Sequence, residues 1–363
     1  MGDNLRRYRA IKQALKQLYP KTVKGNQARH MNTLAALISG IVGSRRVSLP
    51  EVASKVPDGT KRESRVKRFA RWLQNERIEA DVYFLPFAHE LLLGLAERTL
   101  VLAIDGSEVG RGCMTLMVNV LYQKRALPVA WIVVQGNKGH LPEDMHMMLV
   151  EQVQAVIPDK ADVIFLGDGE FDGVLLQAAL AACGWDYVCR TAKNIQLCEE
   201  GFWFTFEDLG ITPGHCVGIP EVQFTQQAYG PVLAVAWWES AYEAPIYLVT
   251  NLELAEEACD WYRKRFRIET FFSDQKTRGF HLNKSHLADP QRLARLMLAA
   301  CLAYLWIIFL GVLAKRDGWV AIIHRTERCD LSLFQLGLVL LDHFLNDALP
   351  IPVAFQIPIL EVC

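Results

Sequence analysis

Three carboxylates, Asp105, Asp168 and Glu269, are the side chains whose positions in this chain best fit catalysis. Each aspartate ends an apolar run, 99–105 or 161–168, which predicts a buried strand that delivers a carboxylate at its tip. No histidine or cysteine cluster at zinc spacing accompanies them, so the oxygen ligands favour Mg²⁺ or Mn²⁺ over zinc. Two such ions, roughly 4 Å apart, can activate a nucleophile and stabilise the leaving oxygen at one phosphorus atom. The acids therefore predict metal-dependent phosphoryl transfer.

The third acid lies in 261–280, a stretch with no proline or glycine before Gly279, which predicts a helix. At about 100° per residue, four residues fall within an arc of roughly 60° on that helix. They are Tyr262, Arg265, Glu269 and Lys276. One helix face would then carry a phenol, a guanidinium, a carboxylate and an ammonium group. Such a face is suited to binding a phosphate beside a metal ion.

The spacing Tyr-x2-Arg-x3-Glu-x6-Lys, together with the two strand-end aspartates, resembles the DDE transposases of the IS4 group. The resemblance extends from about residue 30 to about residue 315 and includes the full Tyr-Arg-Glu-Lys signature of that group. It implies an α/β ribonuclease-H-like core with an inserted mostly-β subdomain, plus an α-helical N-terminal DNA-binding domain. On this interpretation Asp105 bridges two Mg²⁺ ions (Mn²⁺ as a substitute), Asp168 holds one ion and Glu269 holds the other. Water attacks first, and the freed 3′-hydroxyl is the next nucleophile.

The same resemblance assigns DNA contacts. Tyr262, Arg265 and Lys276 would contact phosphates at the transposon end, and Arg190 could reach DNA. The partner would be double-stranded DNA, at the terminal inverted repeats and at the target, bound by a homodimer in the synaptic complex. The group's cut-and-paste enzymes often pass through a DNA hairpin and stack a flipped base on an aromatic ring. Trp237, Trp238 and Tyr247 are candidates for that ring, with a core role favoured for each.

The net charge of −1 conceals a strong asymmetry. Residues 1–77 contain 18 Lys and Arg against 5 Asp and Glu, whereas the remainder contains 21 against 35. This distribution predicts a nucleic-acid partner at the N-terminal end. Within it, 48–57 and 61–75 are typical of a helix, a turn and a basic helix. Five cations of the second helix are the candidate DNA contacts: Arg62, Arg65, Lys67, Arg68 and Arg71.

The order of predicted elements supports the ribonuclease-H-like core. Three strands in a meander are followed by strand–helix units up to residue 190, and that fold places the first and fourth strands side by side. Short β-like runs fill the interval before the helix that carries Glu269. The predicted domains are a basic helical DNA-binding domain, the first part of the core, a β-rich insertion, the core helices carrying Glu269 and a small helical C-terminal region. Their ranges are 1–80, 95–190, 191–253, 254–320 and 321–363.

The apolar segment 296–314 has 19 residues without a charge, the length of a membrane span. It is solitary and follows the charged helix, so we expect a helix buried inside a large domain, and no membrane partner. The nine cysteines contain no CxxC pair and the N-terminal segment shows no signal peptide. Reduced thiols in a cytoplasmic protein are therefore expected, associated with a bacterial nucleoid by the resemblance.

Three alternatives to a transposase account for fewer of these features. A ribonuclease-H-like nuclease or resolvase would not need the four-residue signature or the β insertion. A transposase-derived DNA-binding protein without activity would not need all three acids. A tyrosine recombinase using Tyr262 would leave Asp105 and Asp168 without a role.

Overall fold

A ten-stranded mixed sheet forms the centre of the protein. The computed structural model describes residues 2–19, 24–136, 141–325 and 329–360. The spatial order of the strands is β3-β2-β1-β4-β5-β10-β9-β8-β6-β7. Their bounds are β1 Leu100–Gly110, β2 Cys113–Tyr122, β3 Arg125–Gln135, β4 Val163–Gly167, β5 Asp186–Thr191, β6 Gln196–Glu199, β7 Phe202–Thr205, β8 His215–Phe224, β9 Tyr229–Trp238 and β10 Ile246–Thr250.

Thirteen α-helices are found in the described part of the chain. They are α1 Asp3–Gln17, α2 Gly25–Ser44, α3 Leu49–Ser54, α4 Arg62–Gln74, α5 Ala80–Tyr83, α6 Leu85–Leu95, α7 Glu143–Gln154, α8 Val174–Ala182, α9 Ala255–Tyr262, α10 Ile268–Gln275, α11 Pro290–Arg316, α12 Val320–Ile323 and α13 Leu333–Asn346.

The first five strands have the predicted order. β1, β2 and β3 form an antiparallel meander, and β4 pairs in parallel with both β1 and β5. All five residues of β4 are buried, as a continuous apolar run predicts for a strand covered on both faces. The predicted adjacency of the first and fourth strands is thus confirmed.

The strands of the β-rich insertion continue the same sheet. β10 pairs antiparallel with β5, and β9 and β8 add to it in turn. Four of these five strands coincide with β-like runs in the sequence. β6 was not predicted, because only two of its four residues are buried and the run is too short to show alternation.

The long apolar helix α11 packs inside the protein. Its most apolar 18-residue window is fully buried, and it is the one helix in the described ranges long and apolar enough to span a membrane. It contacts α2, α4, α13 and β3. Glycine allows the closest of these contacts, since a Cβ atom on Gly337 of α13 would lie 1.8 Å from the carbonyl oxygen of Ile307. The expected burial is therefore what the structure shows.

The N-terminal helices join the catalytic region through this same helix. α2 packs against α1, α3 and α11, and eleven of its residues are buried. The Arg295 side chain of α11 donates hydrogen bonds to the carbonyl oxygens of Leu73 and Ile78. The basic region therefore has a defined position relative to the sheet.

The prediction of one continuous helix over 261–280 was wrong. α9 ends at Tyr262, a 3₁₀ turn follows at Arg265–Arg267, and α10 ends at Gln275. The backbone tightens through i→i+3 hydrogen bonds, from the Lys264 N–H to the Trp261 carbonyl and from the Arg267 N–H to the Lys264 carbonyl. No proline or glycine marks this interruption. The tighter turn buries Arg265 while the next side chain, Phe266, is 48% exposed.

Candidate active site

Asp105 and Asp168 lie side by side because β1 and β4 are parallel neighbours. The last paired residues are Ala103 and Leu166, and each carboxylate comes two residues later. The expectation that both aspartates end their strands holds only for Asp168, which directly follows β4. β1 continues to Gly110 because its outer part still pairs with β2 after the pairing with β4 has ended. Asp105 therefore lies just beyond the point where the pairing of β1 with β4 ends.

Local hydrogen bonds orient both carboxylates. An oxygen of Asp105 accepts the N–H of Gly106 at 2.8 Å. An oxygen of Asp168 accepts the N–H of Glu170 at 3.2 Å, and the Asp168 carbonyl accepts the N–H of Phe171. The turn after β4 thus holds the second carboxylate toward the first.

The guanidinium of Arg265 faces both aspartates. Its Nη1 atom lies 3.9 Å from Asp105 Oδ2 and 3.8 Å from Asp168 Oδ2, and the residue is only 5% exposed. Nε and Nη1 have no hydrogen-bond partner among the described residues. These distances are too long for hydrogen bonds, so Arg265 interacts with the carboxylates through its charge, and its Nε and Nη1 donors stay unsatisfied. A ligand with acceptor oxygens, such as a phosphate, would satisfy them.

Burial and the neighbouring charges perturb the Asp105 carboxylate. Burial raises the pKa of Asp105 to about 6, and the negative charge of Asp168 acts in the same direction. Arg265 opposes this increase only in part, and Glu269 adds to it. A buried acid whose pKa is raised beside a second acid is typical of functional sites.

Glu269 lies in the first turn of α10 and is exposed. It is near enough for its charge to act on Asp105. In the described part of the chain no three acids, histidines or cysteines are close enough to form a metal site. The structure therefore brings together Asp105 and Asp168, with Glu269 at the edge of the pair.

Lys276 reaches the site from the end of α10. Its Nζ donates a hydrogen bond of 2.6 Å to Ser107 Oγ. Ser107 lies two residues after Asp105, hence on the same face of β1. Sequence reasoning did not identify this serine, although the i+2 spacing from a candidate ligand was the available signal. The hydroxyl holds the ammonium group beside the carboxylates.

Tyr262 and Arg190 have different surroundings. Tyr262 is 1% exposed, and burial raises the pKa of its phenol. The Arg265 guanidinium carbon lies 5.7 Å from the Tyr262 ring centroid. Arg190 is exposed on β5, and its charge acts on Tyr262, so it borders the site. In this structure Tyr262 supports Arg265, and Arg190 is the more accessible side chain.

The donor atoms fit a divalent cation. Asp105 and Asp168 offer carboxylate oxygens from adjacent strands, and the Nε and Nη1 atoms of buried Arg265 near both have no hydrogen-bond partner among the described residues. Oxygen-only ligands suit Mg²⁺ or Mn²⁺. A cation between the two acids would offset the burial and the repulsion by Asp168 that together raise the pKa of Asp105.

The predicted DNA-binding cations of α4 separate into two groups. Arg65 donates to the carbonyl oxygens of Ala53, Val56 and Thr60, and Arg68 pairs with Asp58 at 2.9 Å. These two arginines fasten the turn between α3 and α4. The other three are exposed and remain accessible to a ligand: Arg62, Lys67 and Arg71.

The three candidate aromatic rings of the insertion have partners in the protein. Trp237 is 4% exposed and lies against Arg263, with 4.6 Å between its ring centroid and the guanidinium carbon. Trp238 donates to the carbonyl oxygen of Tyr242, and Tyr247 packs on Phe206. Trp237 is therefore buried, whereas Trp238 and Tyr247 are only half-buried.

Comparison with known proteins gives a family for the catalytic region. The model of the transposase DDE domain matches residues 97–306. Comparison with curated proteins gives no match. Among solved structures, the chain is similar to the piggyBac transposase in a synaptic complex with hairpin DNA. The sequence identity is 12% and the TM-score is 0.47. The match covers 95% of this chain and 78% of that chain. The matched range includes all three candidate acids and more than half of the chain. The chain belongs to the transposase DDE domain family, whose members cleave DNA and transfer its strands.

Proposed function

We propose that this protein is the transposase of an insertion sequence of the IS4 group, and that it cleaves DNA at terminal inverted repeats by a cut-and-paste route. The observation that carries the proposal is the juxtaposition of Asp105 and Asp168 on parallel neighbours β1 and β4, with Arg265 near both. The Tyr-Arg-Glu-Lys spacing supports the group assignment.

Asp105, Asp168 and Glu269 are the residues that would hold Mg²⁺, with Mn²⁺ as a substitute. The bound metal supplies the Lewis acid that activates the attacking oxygen and stabilises the leaving one. Arg265 presents unsatisfied N–H donors to a phosphate beside the carboxylates. Lys276, held by Ser107, adds a positive charge on the same side.

The DNA itself would run from the site toward the basic N-terminal helices. Arg62, Lys67 and Arg71 are exposed on α4, and Arg190 is exposed on β5, near enough for its charge to act on Tyr262. Backbone phosphate contacts of this kind supply most of the sequence-independent affinity. We further propose a homodimer that joins two transposon ends, acting on DNA in a bacterial cytoplasm.

The test is cleavage of a labelled duplex that carries the element's own flanking terminal repeats, with Mg²⁺, Ca²⁺ or EDTA. Wild type should nick at the repeat boundary with Mg²⁺, whereas Asp168→Asn and Glu269→Gln should bind and not cut. Glu256→Gln, at an exposed acid of α9, is the matched control and should cut normally.

Each other result has a defined meaning. Specific binding without cleavage in Mg²⁺ or Mn²⁺ would favour the DNA-binding protein without activity. Cleavage without strand transfer would favour the nuclease or resolvase. Normal cutting by Glu269→Gln would remove that residue from the ligand set. The product pattern also shows whether the second strand is cut through a hairpin.

A further inference from the structure

A second charged cavity lies at the Tyr122 end of β2, whereas Asp105 pairs with Met117 in the middle of that strand. We call it the hairpin cavity, because the turn between β2 and β3 forms one wall. Its volume is about 470 Å³. The charged residues that line it are Lys124, Arg125, Asp274, Arg278, Lys315 and Asp330. They come from the hairpin turn, α10 and the segment after it, the end of α11 and the segment before α13.

The charge balance of this cavity differs from that of its surroundings. Residues 78–363 contain 21 Lys and Arg against 35 Asp and Glu, yet the cavity has four cations and two acids. Arg125 is paired with buried Asp274 at 2.9 Å, and Asp330 is paired with His324 at 3.1 Å. The cavity therefore keeps an excess of positive charge.

Three cations supply that excess. Lys124, Arg278 and Lys315 are exposed, and within the described ranges no carboxylate lies at salt-bridge distance from any of them. Lys315 also stands in the last turn of α11, where a cation offsets the helix dipole. That effect does not account for the other two, which lie on separate elements.

The chemistry of the lining indicates phosphate oxyanions. Arginine and lysine together bind phosphate through fork-like hydrogen bonds and point charges. None of the described residues that line the cavity has an aromatic ring on which a nucleobase could stack. The cavity is thus suited to backbone phosphates rather than to a nucleotide held by its base.

Its distance from the carboxylates suits a continuous duplex. Asp105 pairs with Met117 of β2, and Arg125 of β3 pairs with Tyr122. Five residues of strand separate these levels, roughly 17 Å at about 3.4 Å per residue. Because β2 is buried over this interval, a duplex on the surface would span at least about five base pairs, at about 3.4 Å per nucleotide along a strand.

We propose that the hairpin cavity is a second DNA-backbone site, in which Lys124, Arg278 and Lys315 bind phosphates at least about five base pairs from the catalytic carboxylates. The inference rests on the proposed function, because it takes DNA as the bound polyanion. It assigns a role to Lys124 in the turn between β2 and β3, which the catalytic site does not use.

The test measures binding of the full chain to a duplex of about 30 base pairs of arbitrary sequence at several salt concentrations. The double variant Arg278→Gln/Lys315→Gln should reduce the slope of log K against log salt by about 2, since each phosphate contact contributes about 0.9. Arg316→Gln is the matched control. It neighbours Lys315, is exposed and pairs with Asp317 at 2.7 Å, and its slope should equal that of wild type.

An unchanged slope in the double variant would overturn the proposal, as would an equal loss in Arg316→Gln. A second measurement uses inorganic pyrophosphate as a probe of thermal stability. If pyrophosphate raised the melting temperature of wild type only, and the DNA slope stayed unchanged, the cavity would bind small phosphates and the DNA occupant would be wrong.

Failure of the proposed function is distinguishable. If wild type does not cut terminal repeats but Arg278→Gln/Lys315→Gln reduces the salt slope, the transposase proposal is wrong and the second DNA site stands. If cleavage depends on Asp168 but Arg278→Gln/Lys315→Gln leaves the salt slope unchanged, the transposase proposal stands and the second DNA site is wrong.

Discussion

Asp105→Asn should stabilise the fold while abolishing cleavage. Burial and Asp168 raise the pKa of Asp105 from its ordinary value of 3.8 to about 6. A shift of about two units makes ionisation of Asp105 cost roughly 3 kcal/mol of folding free energy at neutral pH. The side chain is 22% exposed, and its loss removes a partner of Arg265 at 3.9 Å. We therefore expect a gain of about 1–2 kcal/mol.

The sign of the pH dependence follows from the raised pKa. The folded wild type binds the proton more tightly than the unfolded chain, so its stability falls as the pH rises from about 4 to about 6. The asparagine side chain of the variant does not titrate, and its amide oxygen can still accept the Gly106 N–H. The advantage of the variant should accordingly grow by roughly 1 kcal/mol between about pH 5 and about pH 7.5.

Urea unfolding in EDTA at both pH values measures this difference. Asp159→Asn, at an exposed acid in the loop before β4, is the control and should not alter the pH dependence. Added Mg²⁺ should stabilise wild type more than Asp105→Asn, since ligand binding to the folded state adds stability. A variant less stable than wild type at about pH 7.5, or a pH-independent difference, would refute the raised pKa of Asp105.

Other predictions concern the surroundings of the site. Ser107→Ala should lower the cleavage rate roughly tenfold, because it removes the hydrogen-bond acceptor of Lys276, and Ser107→Thr should retain the wild-type rate. Equal cleavage rates in both variants would show that the 2.6 Å hydrogen bond between Lys276 and Ser107 has no role in cleavage. Lys67→Gln/Arg71→Gln should reduce the salt slope of DNA binding by about 2. Arg65→Gln should instead lower the melting temperature, since three carbonyl oxygens lose their donor. A reduced salt slope of DNA binding without a lower melting temperature would show that Arg65 binds DNA rather than stabilising the turn. Gly337→Ala should destabilise by about 3 kcal/mol or more in urea unfolding, because the new Cβ would meet the Ile307 carbonyl at 1.8 Å, and Gly59→Ala, with open space around it, should not.

Much of the sheet could be predicted because its strands are local patterns. The apolar runs that became β1 and β4 are nearly continuous, as strands buried on both faces must be. The hairpin from β2 to β3 and the helices α7 and α8 also follow from periodicity. β6 escaped because four residues with two buried side chains show no period.

The interruption of the helix over 261–280 was not predicted, for a different reason. The stretch 261–280 has no proline, and no glycine before Gly279, so no residue type at 263–267 enforces a break. The 3₁₀ turn at Arg265–Arg267 accompanies the burial of Arg265 near Asp105 and Asp168, which are distant in sequence. Tertiary contacts of this kind override local propensity.

The sequence by itself determined which side chains could do the chemistry: two acids after apolar runs, a third acid in a four-residue signature, and a basic N-terminal region. Residue type and spacing are sufficient for that, because strand and helix periods are local. Only the tertiary structure decided that Arg265 faces both aspartates, that Ser107 holds Lys276, and that Arg65 fastens a turn. Those contacts join residues brought together by packing, and no local period encodes them.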